Sequence, residues 1–108
     1  MPGGDSAIVE IEKIREYCLS RSHPCGRHKA RVFLSALGMT SADAEELRAA
    51  LIAAAAKGDA RLGAFDQYGI RYIMEFEMSR GERAARVRSC WIIRSGETAP
   101  RFVTCFVL

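Results

Sequence analysis

This chain of 108 residues lacks the signals of a membrane or secreted protein. No apolar run approaches the roughly 18 residues that a membrane-spanning helix needs. Its first residues, Met-Pro-Gly-Gly-Asp-Ser, have neither the basic start nor the apolar core of a secretory signal. The four cysteines form no CxxC pair, so reduced thiols are expected. We therefore predict a cytoplasmic protein that does not bind membranes.

The sequence also lacks the common motifs of cofactor and nucleotide chemistry. It contains no P-loop, no GxGxxG, no nucleophile elbow and no paired carboxylates. These absences predict a domain that works without a cofactor. The length corresponds to one domain, and we predict a flexible tail over 1–7 and a single α+β domain over 8–108.

Acidic residues are missing from two parts of the chain. None occurs between Tyr17 and Ser41, and Glu97 is the only one after Arg83. Both parts are rich in arginine and lysine, and the net charge is +3. The two basic segments would form one positive face if the fold brings them together; otherwise they are solvated surface.

The pattern of apolar residues changes halfway along the chain. Helical spacing predicts three helices, over 11–19, from 26 or 27 to 37, and from 40 or 41 to 57. Alternation and turn residues then predict four strands, at 60–65, 69–78, 83–94 and 101–107. Short links between strands favour an antiparallel meander, and the helices are expected on one face of it.

Strand periodicity also predicts which side chains share a face. Val87, Ser89, Trp91 and Ile93 should point one way, and Arg86, Arg88, Cys90 and Ile92 the other. In the last strand, Phe102, Thr104 and Phe106 should lie on one face.

The segment from His23 to Arg31 is the strongest candidate for a functional site. Pro24 sets a turn, and a helix starting near Gly26 would present free backbone N–H groups to an anion. Arg27, Lys29 and Arg31 would add positive charge, and His23 could accept a proton near neutral pH. Phosphate binding next to a histidine suits metal-free cleavage of RNA. The alternative is that His23 only caps a turn.

Two further groups of residues are candidate sites. His23, Cys25 and His28 could bind zinc, but their spacing fits no familiar motif and a fourth ligand, Cys90 or Cys105, would be distant. We therefore predict no metal. On the last two strands, Arg86 and Arg88 could clamp a phosphate and Thr104 could donate to one, or all three could be ordinary sheet positions.

A resemblance adds to these observations. The pattern HPxGxxKAxxF at 23–33, followed by Ala85–Arg88, Trp91–Ile93 and Pro100–Thr104, resembles a small bacterial domain family of unknown function. Its members occur as short stand-alone proteins and at the C-terminal ends of polymorphic toxins. The order of helices and sheet is also similar to the barnase, EndoU, colicin and RelE group of metal-independent ribonuclease toxins.

That second similarity implies roles for individual residues. Such toxins often combine a histidine or lysine of the helical half with a threonine or tyrosine of the last strand. His23 would be the general base, Lys29 and Arg88 the phosphate contacts, and Thr104 the positioning hydroxyl. A frequent Thr-x-Tyr ending is here Thr104-Cys105-Phe106, which lacks the phenol.

The resulting prediction is a toxin-like ribonuclease that cuts RNA by attack of its 2′-hydroxyl and is neutralised by an antitoxin or immunity protein. Its catalytic residues would be His23, Lys29 and Thr104, and its substrate-binding residues Arg27, Arg31, Arg86 and Arg88. The alternative is a non-catalytic module that binds protein or nucleic acid on the same basic face. The apolar ending, Phe106-Val107-Leu108, also suggests a homodimer formed through the last strand.

Overall fold

The computed structural model describes residues 1–108 and has the predicted α+β architecture. Helix α1 spans Ile11–Lys13 and continues as a π-helical segment over Ile14–Cys18. Helix α2 spans Arg27–Leu37, and α3 spans Ala44–Lys57 after a short 3₁₀ turn. The strands are β1 (Arg61–Asp66), β2 (Gly69–Arg80), β3 (Arg83–Arg94) and β4 (Arg101–Val107).

The helix boundaries follow from local chemistry. Gly38 ends α2 in the left-handed conformation at φ 66°, which glycine adopts without steric cost. The next helical segment begins with a capping box, in which the Thr40 and Asp43 side chains bond to each other's backbone N–H groups. Glu45 and Glu46 then lie in the first turn of α3, where carboxylates favour the helix dipole.

The four strands form one antiparallel sheet in the order β1-β2-β3-β4, as the short links predicted. The helices cover one face of it. Val87, Ser89 and Trp91 of β3 are buried on this covered face, as the alternation predicted. Val87 and Trp91 pack with Phe33 of α2 and the leucines of α3 into one core. The opposite face, which we call the open face, carries Glu75, Arg86 and Arg88.

The prediction that Phe102, Thr104 and Phe106 share a face is wrong, because β4 contains a bulge. Phe102 lies opposite Trp91, whereas Thr104 lies opposite Cys90. The extra residue, Val103, reverses the alternation. Phe102 therefore enters the core, while Thr104 and Phe106 lie on the side of the open face.

The first seven residues differ from the predicted flexible tail. The Met1 ammonium donates to the Gly58 carbonyl at 2.9 Å, and Gly4 is buried against the end of α3. Residues Gly4–Ser6 form a 3₁₀ turn that leads to Ile8, whose backbone pairs with β4. Small residues at the chain start permit this close packing, which composition alone did not reveal.

The outer edge of β4 is partly used within the chain. Ile8 pairs with the strand through hydrogen bonds at Pro100 and Phe102, each 2.9 Å long. The Lys13 ammonium donates to the Phe102 carbonyl at 3.0 Å. These backbone groups already have hydrogen-bond partners within the domain and are not available to another strand. The structure contains no helix that is long and apolar enough to cross a membrane.

Candidate functional site

Lys29 is the centre of the candidate site. It lies in the first turn of α2 and is half-buried between this helix and β4. Its ammonium donates to the Thr104 hydroxyl at 3.0 Å and to the Tyr17 hydroxyl at 3.3 Å. No carboxylate lies within 4.0 Å of it. Since an ammonium has three donor hydrogens, one remains for an anionic ligand.

Tyr17 is a residue that sequence reasoning missed. Its hydroxyl accepts from Lys29, and its ring lies 4.9 Å from the same ammonium, which adds a cation–π contact. The phenol that the last strand lacks is thus supplied by the π-helical segment. No sequence signal pointed to it, because Tyr17 is twelve residues from Lys29 and outside the His23–Arg31 segment.

Cys18 was also missed, and its thiol lies beside Thr104 in the same cluster as Lys29. Its thiol is fully buried and lies 3.7 Å from the Thr104 hydroxyl. A hydrogen bond from the Cys105 thiol lowers the pKa of Cys18 to about 6, despite the opposing effect of burial. The Cys105 backbone N–H, the Thr104 hydroxyl and the Lys29 charge lower it further. These contacts favour the charged form of the Cys18 thiol next to Lys29.

The two thiols predict a specific pH dependence of stability. The folded state lowers the pKa of Cys18 to about 6 from 9.0 and raises the pKa of Cys105 through Cys18 and burial. The contribution of Cys18 is therefore complete above pH 9 and is lost as the pH falls towards 6, whereas that of Cys105 is lost above pH 9. Urea denaturation at several pH values should show wild-type stability relative to Cys18→Ser rising from pH 6 to 9. A difference that does not change with pH would contradict a buried thiolate.

His23 caps its turn, which was the alternative to its predicted role as general base. Its Nδ1 accepts from the backbone N–H groups of Cys25 at 3.0 Å and Gly26 at 2.9 Å. Its ring lies edge-on to Tyr17 with centroids 4.7 Å apart. Because Nδ1 is an acceptor, the neutral ring carries its hydrogen on Nε2. In this arrangement Nε2 is a donor, which does not suit a general base.

This tautomer can be tested directly. Long-range proton–nitrogen NMR of the imidazole should show a hydrogen on Nε2 and none on Nδ1. We expect His23→Ala to lower the free energy of unfolding by about 1 kcal/mol, because two N–H groups lose their acceptor. His23→Asn, which restores an acceptor oxygen, should recover part of this loss. A hydrogen on Nδ1 would show that the turn is held in another way.

His28 lies in a shallow groove next to Lys29. The groove has a volume of about 330 Å³ and is lined by His28, Lys29, Val32, Phe106 and Val107. The His28 ring is exposed and makes no hydrogen bond within the protein. Both of its nitrogens are therefore available to a ligand. We call this depression the Lys29 groove.

The predicted arginine clamp lies on the open face beside the Lys29 groove. Arg88 is opposite Phe106 in the sheet, and Cys90 is opposite Thr104. Burial raises the pKa of Cys90, and the charges of Lys29 and Arg88 both lower it, because both cations lie close to this thiol. Thr104 and Lys29 are thus in contact, and Arg88 lies on the neighbouring strand opposite Phe106.

Arg88 is not free, however. Two of its nitrogens donate to Glu75 Oε2, at 2.8 and 3.0 Å, and Arg86 donates to Oε1 at 3.4 Å. Arg61 binds the same carboxylate at 3.0 Å. The hydrogen bonds and charge of Arg88, with further contributions from Arg86 and Arg61, lower the pKa of Glu75. An anion would have to share these arginines with Glu75.

Arg27 and Arg31 complete the basic surface. Both are exposed on α2, one turn apart, and neither has a carboxylate partner. They extend the positive charge along the helix from the Lys29 groove. The structure does not group three or more His, Cys, Asp or Glu side chains as metal ligands, so it adds no support for the zinc alternative.

Comparison with known proteins gives the family. Residues 1–108 match a family described as a domain of unknown function, DUF6883. The chain belongs to this family. The resemblance to a domain family of unknown function is thereby confirmed, whereas the similarity to ribonuclease toxins stays a prediction. No curated protein and no solved structure shows a significant match.

Proposed function

We propose that this domain binds single-stranded RNA at the Lys29 groove and cleaves it without a metal ion by attack of the 2′-hydroxyl. The observation that carries the proposal is the half-buried Lys29 ammonium, held by Thr104 and Tyr17 with one hydrogen left for a ligand. A phosphate oxygen is the natural acceptor for it. The Thr104 hydroxyl lies close enough to Lys29 to contact the same phosphate.

The groove next to Lys29 fits the rest of a nucleotide. Phe106 and Val32 are among the residues that line it, and aromatic side chains stack bases without sequence preference. Bases in a duplex are already stacked on each other, so this contact favours single strands. Arg27 and Arg31 would contact neighbouring phosphates, and Arg88 would do so when it exchanges Glu75 for the RNA.

Within this proposal, the role of general base passes from His23 to His28. His23 uses Nδ1 to hold its turn and has only a donor at Nε2. His28 has two unoccupied nitrogens and lines the same groove as Lys29. His28 would take the proton of the 2′-hydroxyl as that oxygen bonds to phosphorus, and Lys29 would stabilise the charge that develops on the phosphorane. The bond from phosphorus to the 5′-oxygen would then break, the protonated His28 would return its proton to the leaving 5′-oxygen, and a 2′,3′-cyclic phosphate would remain. Tyr17 and His23 would position Lys29.

A second candidate is a module that binds RNA without cutting it. One observation favours it: two of the predicted site residues already have partners within the protein. His23 accepts from the backbone of its own turn, and Arg88 is bound to Glu75. The same Lys29 groove would then hold the RNA backbone. In either case, an acidic partner such as an antitoxin or immunity protein would bind over this basic surface, and the cytoplasm would supply the RNA.

One experiment separates the two candidates. Purified protein is incubated with a labelled single-stranded RNA in the presence of a chelator, and the products are analysed for 2′,3′-cyclic phosphate ends. Cleavage that disappears in His28→Ala and in RNA methylated at every 2′-oxygen supports the nuclease. Binding without cleavage supports the module. If the protein neither binds nor cleaves the RNA, both candidates are overturned. Lys57→Ala, which removes a remote cation of α3, serves as the control.

A further inference from the structure

The opposite edge of the sheet carries an apolar surface that no element of this chain covers. Leu62 and Phe65 of β1 remain 70% and 79% exposed, and the neighbouring Tyr68 and Ile70 are also exposed. Soluble monomers rarely leave a continuous apolar patch of this kind uncovered. We call these four residues the β1 patch.

The β1 patch lies on the same side of the sheet as the helices. Leu62 is opposite Tyr72 and Phe65 is opposite Ile70. Both of these β2 residues lie on the same face as the buried Met74, because side chains two residues apart in a strand point to the same side. The helix layer therefore ends before β1. In addition, β1 is the first strand of the sheet order, so its outer backbone groups have no strand partner.

We propose that β1 pairs with β1 of a second copy of this chain, in antiparallel orientation, to form a dimer with an eight-stranded sheet. The segment Arg61-Leu-Gly-Ala-Phe-Asp66 is complementary to itself in this orientation. With the two-fold axis between Gly63 and Ala64, Arg61 lies opposite Asp66 of the second copy. Leu62 then lies opposite Phe65 of the second copy, so the register pairs both opposite charges and apolar side chains.

The bulge in β1 makes this register geometrically consistent. Side chains directly opposite each other in an antiparallel pair point to the same face. In a regular strand Leu62 and Phe65 would point to opposite faces, since they are three residues apart. The irregularity between them places both on the helix side, while Arg61 and Asp66 lie on the open face with Ile73 and Gly69.

The proposed two-fold symmetry also brings the β1 patches of the two copies into contact. A two-fold axis perpendicular to the sheet keeps both helix layers on the same side, so the two β1 patches meet between them. The Lys29 grooves remain at the two outer ends, because β4 is the opposite edge of each sheet. The inference is therefore independent of the proposed function.

Charge variants provide a self-controlled test by light scattering after gel filtration at several concentrations. We expect wild type to form a dimer with a Kd on the order of tens of micromolar, because a six-residue strand gives a small interface. In Arg61→Asp alone, two acidic side chains face each other at both symmetric positions of the interface, and this variant should be monomeric. In Asp66→Arg alone, two arginines face each other at both positions, with the same expected result. An equimolar mixture of the two variants restores two opposite-charge pairs and should dimerise again.

Apolar variants exclude the other edge of the sheet. Phe65→Lys should abolish the dimer without unfolding the domain, since the side chain is almost fully exposed. Leu108→Lys, at the end of the chain after β4, should leave the dimer unchanged. A wild type that is monomeric at the highest concentration overturns the proposal. The proposal is also overturned if the dimer persists in Phe65→Lys, or if the mixture of charge variants stays monomeric.

Discussion

Lys29→Met is expected to reduce RNA cleavage by about a hundred- to a thousandfold, the usual effect of removing one charge-stabilising donor from an active site. Methionine keeps much of the apolar length of lysine but removes the charge that lies over the Tyr17 and Phe106 rings. It removes the ammonium that binds Thr104 and faces the groove. The single-turnover rate on a labelled RNA measures the effect, and circular dichroism confirms that the fold is retained.

Binding gives an independent measurement for the same substitution. If Lys29 contacts a phosphate, Lys29→Met should weaken RNA affinity for all sequences alike and lower the salt slope of the association constant by about one. Lys57→Met, which removes an exposed cation from the end of α3, should change neither the cleavage rate nor the affinity. Undiminished cleavage and binding in Lys29→Met would remove the central residue of the proposed site.

Trp91→Ala should lower the free energy of unfolding by about 3–5 kcal/mol, the largest effect expected in the core. Trp91 is fully buried, packs edge-on against Phe102 at 5.6 Å, and donates its indole N–H to the Ser89 hydroxyl at 2.9 Å. Ser89 in turn donates to the Met74 carbonyl at 2.8 Å. Truncation therefore leaves both a cavity and a buried hydroxyl with one partner fewer.

Urea denaturation monitored by circular dichroism measures this loss. Because a small domain has a total stability of only about 5–15 kcal/mol, Trp91→Ala is partly unfolded if the domain lies at the lower end. Trp91→Phe keeps most of the volume and isolates the lost indole hydrogen bond. Leu108→Ala, at an exposed position, should change stability by less than about 0.5 kcal/mol. A similarly small change in Trp91→Ala would contradict its place at the centre of the core.

Much of the site was predictable because it is contiguous in sequence. His23, Lys29 and the start of α2 follow from a proline turn, a glycine and a basic helix start, all of which are local signals. Placing Thr104 and Arg88 beside Lys29 required the resemblance, since these residues lie on distant strands. The sequence left the role of His23 open between a general base and a turn cap, because the positions of the two backbone N–H groups that bind Nδ1 depend on the turn geometry.

The sequence by itself determined the order of three helices and four strands, the face of β3 that enters the core, and the basic start of α2. These features depend on periodicity and on turn residues, which act over a few neighbouring positions. Only the tertiary structure decided that Tyr17 and Cys18 join Lys29, that Thr104 turns away from Phe102, and that β1 stays uncovered. The physical reason is that a one-residue bulge reverses every later side chain in its strand, while the extent of the helix layer depends on packing across the whole domain.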